Sequence, residues 1–161
     1  MTAATPVATE RLDVVIIGAG MSGISGAYYM QKNCPDRSIT ILEMRGAMGG
    51  TWDQFTYPGI RSDSPMIAFG YGFKPFKAYA HLAEGAQIND YIKETADENG
   101  ITGKIRYKHR IVAQSWSSET KTWTLDVLVG DEKRLERLEC NFVICCSGYY
   151  DYDKPYDGGI I

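Results

Sequence analysis

Three glycines define the chemistry open to this chain. Gly18, Gly20 and Gly23 follow the apolar run Asp13-Val14-Val15-Ile16-Ile17 in the order G-x-G-x-x-G, and a helical pattern begins at once after them. A strand that turns sharply into a helix needs glycine first for the turn, second for close approach of a pyrophosphate, and third for helix–strand packing. The open N–H groups and the positive end of the helix dipole then face phosphate, with Ser22 inside the turn. The partner of this loop is Glu43, which ends the next apolar run, Ser38-Ile39-Thr40-Ile41-Leu42, 20 residues after Gly23. A carboxylate there accepts hydrogen bonds from a ribose diol and repels a 2′-phosphate, which points to FAD or NAD rather than NADP at this loop.

Those groups act together only if the flanking elements hold them. Residues 1–10 read as a flexible arm, and Arg11–Ile17 as the first strand. Ile24–Asn33 is predicted helical, with Ala27 and Met30 inward, ending before Cys34-Pro35 because the residue before proline disfavours helix. Ser38–Leu42 is the second strand of a right-handed β-α-β unit. Residues 46–80 are rich in glycine and aromatics but have no lasting periodicity, and an irregular stretch of that length is usually functional or disordered; the aromatics argue for function. Gly85–Asn99 is predicted helical, with Ile88, Tyr91, Ile92 and Thr95 on one face and Gly100 as the residue that stops it. Ile111–Trp116, Thr122–Val129 and Arg134–Cys140 read as a meander, in which Trp123, Leu125, Val127 and Val129 alternate with polar residues. The run Phe142-Val143-Ile144-Cys145-Cys146 predicts a further strand over 141–146, buried on both faces and returning to the parallel sheet. The fold class is therefore α/β: a Rossmann-like dinucleotide domain over residues 11–161, with a parallel sheet and a three-stranded antiparallel meander.

Bulk properties exclude other classes. A chain of 161 residues carrying a formal charge of −3 has the size of one domain and no basic field for nucleic acid or anionic membrane. No apolar run reaches the ~20 residues of a membrane span, and the polar start lacks the apolar core of a signal peptide, so a cytoplasmic location is expected. Cys34, Cys140, Cys145 and Cys146 have no metal-type spacing, and no metal site is expected. The adjacent Cys145 and Cys146 are read as buried structural thiols.

The irregular segment adds Gly49-Gly50-Thr51-Trp52 and then Tyr57-Pro58-Gly59-Ile60-Arg61-Ser62-Asp63-Ser64, and the last strand closes with Cys146-Ser147-Gly148-Tyr149-Tyr150. With the glycine loop and the meander, these motifs resemble the flavin-containing and Baeyer–Villiger monooxygenases, nearest to the ethionamide-activating type, over about residues 12–156. The resemblance implies that Gly18, Gly20, Ser22 and Gly23 hold the FAD pyrophosphate and Glu43 the adenosine ribose. It implies that Gly50, Thr51, Trp52, Asp53 and Gln54 line the flavin end, Ile111 meets the adenine through its backbone, and Gly148 lies near the diphosphate. Arg61, Ser62 and Asp63 are implied near nicotinamide and flavin, with Arg61 and Asp63 as the catalytic residues of this segment and Asp63 pairing with a peroxyflavin-stabilising arginine expected beyond these residues. Plainer readings stand beside these: Trp52 as core, Asp63 as a turn cap, Ile111 as a buried strand residue.

In the complete enzyme the resemblance implies that NADPH reduces FAD, oxygen adds at the flavin C4a, and the resulting peroxide attacks a small ketone or a sulfur- or nitrogen-containing substrate. These residues hold no second G-x-G-x-x-G and no F-x-G-x-x-x-H-x-x-x-W/P fingerprint. The expectation is an N-terminal FAD-binding portion, inactive alone and prone to homo-oligomerise through uncovered surface. The competing class is a non-catalytic module that binds FAD or NAD and self-associates.

Overall fold

A computed structural model describes residues 10–77 and 82–150. Strand β1 (Glu10–Ile17) leads into helix α1 (Met21–Asn33) and strand β2 (Ile39–Leu42). Two one-turn helices follow, α2 (Thr51–Gln54) and α3 (Met66–Phe69), then α4 (Gly85–Glu98). The chain closes with β3 (Ile105–Arg106), β4 (His109–Ser117), β5 (Thr122–Val129) and β6 (Arg134–Cys145). These strands form one sheet in the order β3-β2-β1-β6-β5-β4, parallel from β3 to β6 and antiparallel from β6 to β4. The expected α/β class and meander are present.

Side chains of β1 alternate between two cores. Val14 and Ile16 join Ile24 and Ala27 of α1 and Ile88, Tyr91, Ile92 and Ala96 of α4. Val15 joins Leu42 and the meander residues Leu125, Val127, Leu138 and Cys140, with Trp123 and Val129 partly buried around them. The period of two in the strands and the 3.6-residue period in α4 thus mark the faces that are buried. Each fully buried isoleucine contributes about 1.5–3 kcal/mol relative to exposure, so these cores hold in place the central strand that leads into the glycine loop. Gly100, with φ of 63°, follows α4 in the left-handed conformation expected of a stopping glycine.

The structure departs from the sequence reading at several points, including an unforeseen β3 and a β4 that starts at His109 rather than Ile111. Glu10 is not part of an arm: it opens β1 opposite Leu138, and both its oxygens meet the Arg106 guanidinium at 2.6 Å. The remainder of the expected arm lies outside the described residues. Helix α1 begins at Met21, inside the glycine motif, because Gly20 supplies the extended N-cap conformation and the amide of Ile24 already donates to its carbonyl. The strands expected over 134–140 and 141–146 are one element. Through Cys140 it pairs with β5, while from Leu138 it also pairs with β1, and the sequence between Arg134 and Cys145 holds no glycine or proline to interrupt it. Finally, this strand is not buried on both faces at its C-terminal end. Helix α1 crosses over Ile16 and Ile144, both near Gly26, and leaves Phe142 on the same face 61% exposed, while Cys145, on the opposite face in register with Ile17, is exposed as well. Cys145 and Cys146 are therefore not both core thiols; only Cys140 is buried.

The irregular segment is held by aromatics. Tyr71 stacks on Phe73 at 5.0 Å and on Tyr91 at 5.3 Å, and Phe73 stacks on Tyr28 of α1 at 3.6 Å. The Tyr71 amide donates to the Tyr91 hydroxyl, while the Tyr71 hydroxyl donates to the Met21 carbonyl at the start of α1. Burial pushes the Tyr71 hydroxyl's pKa well above its ordinary value.

Candidate dinucleotide cavity

The carboxyl ends of β1, β2 and β6 open on a cavity of about 620 Å³. Such a position is where doubly wound sheets take ligands, and the volume suits an organic cofactor. One side is the glycine loop with Gly18, Gly20, Met21 and Ser22; Glu43 and Arg45 extend β2; Gly49 to Trp52 and Gln54 face them. His109, Arg110 and Ile111 start β4, and Cys145 to Tyr149 close the last side.

The glycines differ in why they are required. Gly18 has φ of 99°, and an added Cβ would lie 2.6 Å from the Cys146 carbonyl oxygen. At Gly23 a Cβ would lie 1.9 Å from the Gly18 oxygen, so this residue lets α1 start against the loop. Gly20 is unlike both: its φ is −81°, and the nearest atom to an added Cβ is Gly50 Cα at 3.6 Å. The protein itself has room for a side chain at Gly20. The space beside its backbone opens on the cavity, and a glycine there leaves room for a group as close to the main chain as a pyrophosphate would be.

Glu43 is buried, at 6% exposure, and does double duty. Its Oε2 accepts from the Ala19 amide at 2.8 Å and its Oε1 from the Arg45 amide at 2.9 Å. An ionised carboxylate has about four acceptor sites, so two contacts leave capacity for a ribose diol. Its charge also helps hold the Tyr107 hydroxyl above its ordinary pKa, after burial as the larger cause.

Of the residues singled out in the sequence, the structure brings Gly18, Gly20, Ser22, Glu43, Gly50, Thr51, Trp52, Gln54, Ile111 and Gly148 to this cavity. Trp52 reconciles its two readings, lining the cavity while packing edge-on against Phe69 in the core. At Ile111 the β4–β5 register shifts before Ala113, a bulge of the kind that re-aims backbone beside a site. Gly148 has φ of 79°, which turns the chain out of β6.

Five do not line it. Gly23 lies beneath the loop as a packing residue. Asp53 points to Arg45, with Asn89 and Lys93 of α4 on its other side. Arg61 donates to the Gly59 carbonyl, and its backbone bridges to Glu84. Ser62 is buried, its amide bonded to Ala83 and its hydroxyl to Ser64. Asp63 is exposed and accepts from the Ser64 hydroxyl, while the turn itself is capped by Ser62, whose hydroxyl accepts from the Ser64 amide.

Arg45, His109, Arg110 and Cys145 line the cavity and were not foreseen. Arg45 carries a faint signal, a cation two residues after the ribose acid. His109 carries none, since it reaches the site only because its amide donates to the Glu43 carbonyl where β4 begins. Among the described residues no cluster of His, Cys, Asp and Glu could hold a metal ion, and no helix is long and apolar enough to cross a membrane.

Comparison with known proteins gives this geometry relatives. Residues 16–85 match the NAD(P)-binding Rossmann-like domain. The FAD-containing monooxygenase EthA of Mycobacterium tuberculosis is 47% identical over 148 residues, 92% of this chain and 30% of that protein. This chain is homologous to part of the flavin-containing monooxygenases. EthA of Mycolicibacterium smegmatis is 48% identical over the same shares. Among solved structures, OTEMO in complex with FAD and NADP superposes with a TM-score of 0.77 at 26% identity, covering 95% of this chain and 29% of that one. The chain thus spans about 30% of the length of the curated relatives it matches.

Proposed function

We propose that this chain forms the FAD-binding part of an NADPH-dependent flavoprotein monooxygenase acting on small ketones or on sulfur- or nitrogen-containing compounds. The observation that carries the reading is Gly20: a glycine that the fold does not need, beside Ser22 and in line with Glu43, on the wall of a cavity that also holds Thr51 and Trp52. The relatives named as FAD-containing monooxygenases support the cofactor, and the neighbour solved with both FAD and NADP supports NADPH as the second one.

The residues fit FAD from end to end. Glu43 would accept the ribose hydroxyls, the glycine loop would take the pyrophosphate, and Thr51, Trp52 and Gln54 would wall the flavin ring, with Ile111 and Gly148 closing the adenine and diphosphate sides. Bound FAD would supply hydride acceptance and oxygen activation. The contribution of this chain is to bind, orient and keep water from the ring with the Trp52 indole. Arg61, Ser62 and Asp63 do not line the cavity; the family resemblance alone would put them near nicotinamide and flavin, with Arg61 and Asp63 beside the reacting centre. The free state of all four cysteines agrees with a reducing cytoplasm.

A second reading is a dinucleotide-holding module without turnover that associates with itself. It is favoured by exposed apolar side chains: Ile67 at 96%, Tyr149 at 87% and Phe142 at 61%. FAD titration of the purified 161-residue chain, followed by absorption and by NADPH consumption, tests both. Flavin binding without NADPH oxidation above that of free flavin is the expected result. Failure to retain FAD would overturn the cofactor assignment, and steady turnover would mean the reacting centre is complete within these residues.

A further inference from the structure

The wall at the flavin end is built on an unusual support. Gly49 has φ of 121° and Gly50 has φ of 57° with ψ of −127°, so the turn before α2 runs through two consecutive conformations open mainly to glycine. Glycine permits such a turn but does not enforce it, because a residue without Cβ has the most alternatives to lose. Something else must select the one shape that points Thr51 and Trp52 at the cavity.

The side chain of Arg45 is placed for that task. Its Nη1 donates to the Gly50 carbonyl at 3.3 Å and its Nη2 meets Asp53 Oδ2 at 2.7 Å, so one planar fork grips the turn and the helix that follows. From behind, the Asn89 amide donates to Asp53 Oδ1 at 3.3 Å and the Lys93 ammonium lies 3.8 Å from the same oxygen. Asn89 also crowds Gly49, where a Cβ would stand 2.2 Å from its Oδ1. The pair is shielded, with Arg45 at 29% and Asp53 at 18% side-chain exposure. The Arg45 amide, meanwhile, binds Glu43 at the opposite end of the cavity.

We propose that Arg45 and Asp53 are positioning residues: their ion pair fixes the Gly49–Trp52 turn, and so sets the flavin-end wall relative to the ribose-end acid, without touching the ring. The inference rests on the FAD reading given above. It also explains why an aspartate inside the G-G-T-W-D motif faces away from the cavity. A lysine in place of Arg45 keeps the charge but cannot span both acceptors, since the two contacts use two nitrogens of one rigid fork.

Two ligands separate this role from a general one. ADP fills only the end with the glycine loop and Glu43, whereas FAD also needs the Trp52 wall. In the 161-residue chain, Arg45→Ala and Asp53→Asn are each expected to weaken FAD roughly tenfold, the lower range for a lost charge-assisted contact. Both should leave ADP affinity within about twofold, because either substitution keeps the Arg45 amide that holds Glu43. The double variant should be no weaker than either single one, and the visible circular dichroism of bound flavin should change at saturation. Arg45→Lys should fall between wild type and Arg45→Ala. Unchanged FAD affinity and spectrum in both single variants would overturn the inference, and so would parallel loss of FAD and ADP. If the unsubstituted chain bound ADP but not FAD, the cofactor reading itself would fall, a result distinct from either.

Discussion

Glu43 Oε2 lies 2.8 Å from the amide nitrogen of Ala19, so the acid that ends β2 holds the middle of the glycine loop before any ligand arrives. Glu43 and the glycine loop are thus one mechanical unit. Glu43→Gln replaces a charged acceptor by a neutral one and is expected to weaken both the loop and FAD binding. Glu43→Arg removes the acceptor altogether and places a cation at 6% exposure, at a cost of about 1.5–3 kcal/mol for the lost charged hydrogen bond alone. Isothermal titration with FAD alongside a thermal melt reads the two effects. Unaltered affinity in Glu43→Arg would remove this residue from the site.

Gly20 and Gly23 should fail in different assays. Gly23→Ala drives a Cβ into the Gly18 carbonyl oxygen, backbone against backbone, and is expected to destabilise the protein by about 3 kcal/mol or more. Gly20→Ala meets only ordinary contact in the protein, so its melting temperature should stay near wild type. Its FAD affinity should nonetheless drop by more than about tenfold, or 1.4 kcal/mol. A folded Gly20→Ala chain that binds FAD normally would show that no phosphate approaches this turn.

The contrast between those glycines also marks how far the sequence can be read. Local rules found β1, the loop, α1, β2, α4 and the alternating face of β5, because each rests on a period or a turn residue within one segment. The same rules divided β6 in two, since a strand that changes partners from antiparallel to parallel carries no local mark of the change. Exposure of Phe142 was invisible for a related reason: an apolar run predicts burial, but how much of its face α1 covers depends on where the helix crosses. Glu43 was found by spacing. Arg45 and the outward turn of Asp53 were not, because their ion pair joins residues on either side of two glycines whose backbone angles the sequence leaves open.

Stability should fall with acid, and the sign is set by the carboxylates. The Arg106 guanidinium holds the Glu10 carboxyl below its ordinary value of 4.5, and Asp13, bonded by the Ser38 amide and hydroxyl, is likewise lowered from 3.8. Asp126, paired with Arg137, and Glu98, paired with Lys74, shift the same way. A lowered folded pKa contributes stability above the unfolded value and loses it as pH falls through the folded one. The melting temperature should therefore be flat above about pH 5 and decline below the ordinary carboxylate range. Glu10→Gln should shallow that decline only slightly, because a pair this exposed is worth under about 1 kcal/mol. A melting temperature that rises on acidification would contradict the assignment.

Thiol reactivity gives an independent check on where the ligand lies. Cys145 is exposed at the end of β6 and lines the cavity, whereas Cys146 is half-buried, with burial first and the neighbouring thiol second raising its pKa above 9.0. Burial raises Cys140 in the same direction. Since the thiolate is the reactive form, iodoacetamide at neutral pH should modify Cys145 well before Cys146 or Cys140. Cys34, at the end of α1 and outside the cavity lining, serves as the internal reference. Saturating FAD should slow alkylation at Cys145 and leave the rate at Cys34 unchanged, as peptide mass mapping over a time course would record. Equal rates at Cys145 with and without bound FAD would mean that the dinucleotide does not run past the end of β6.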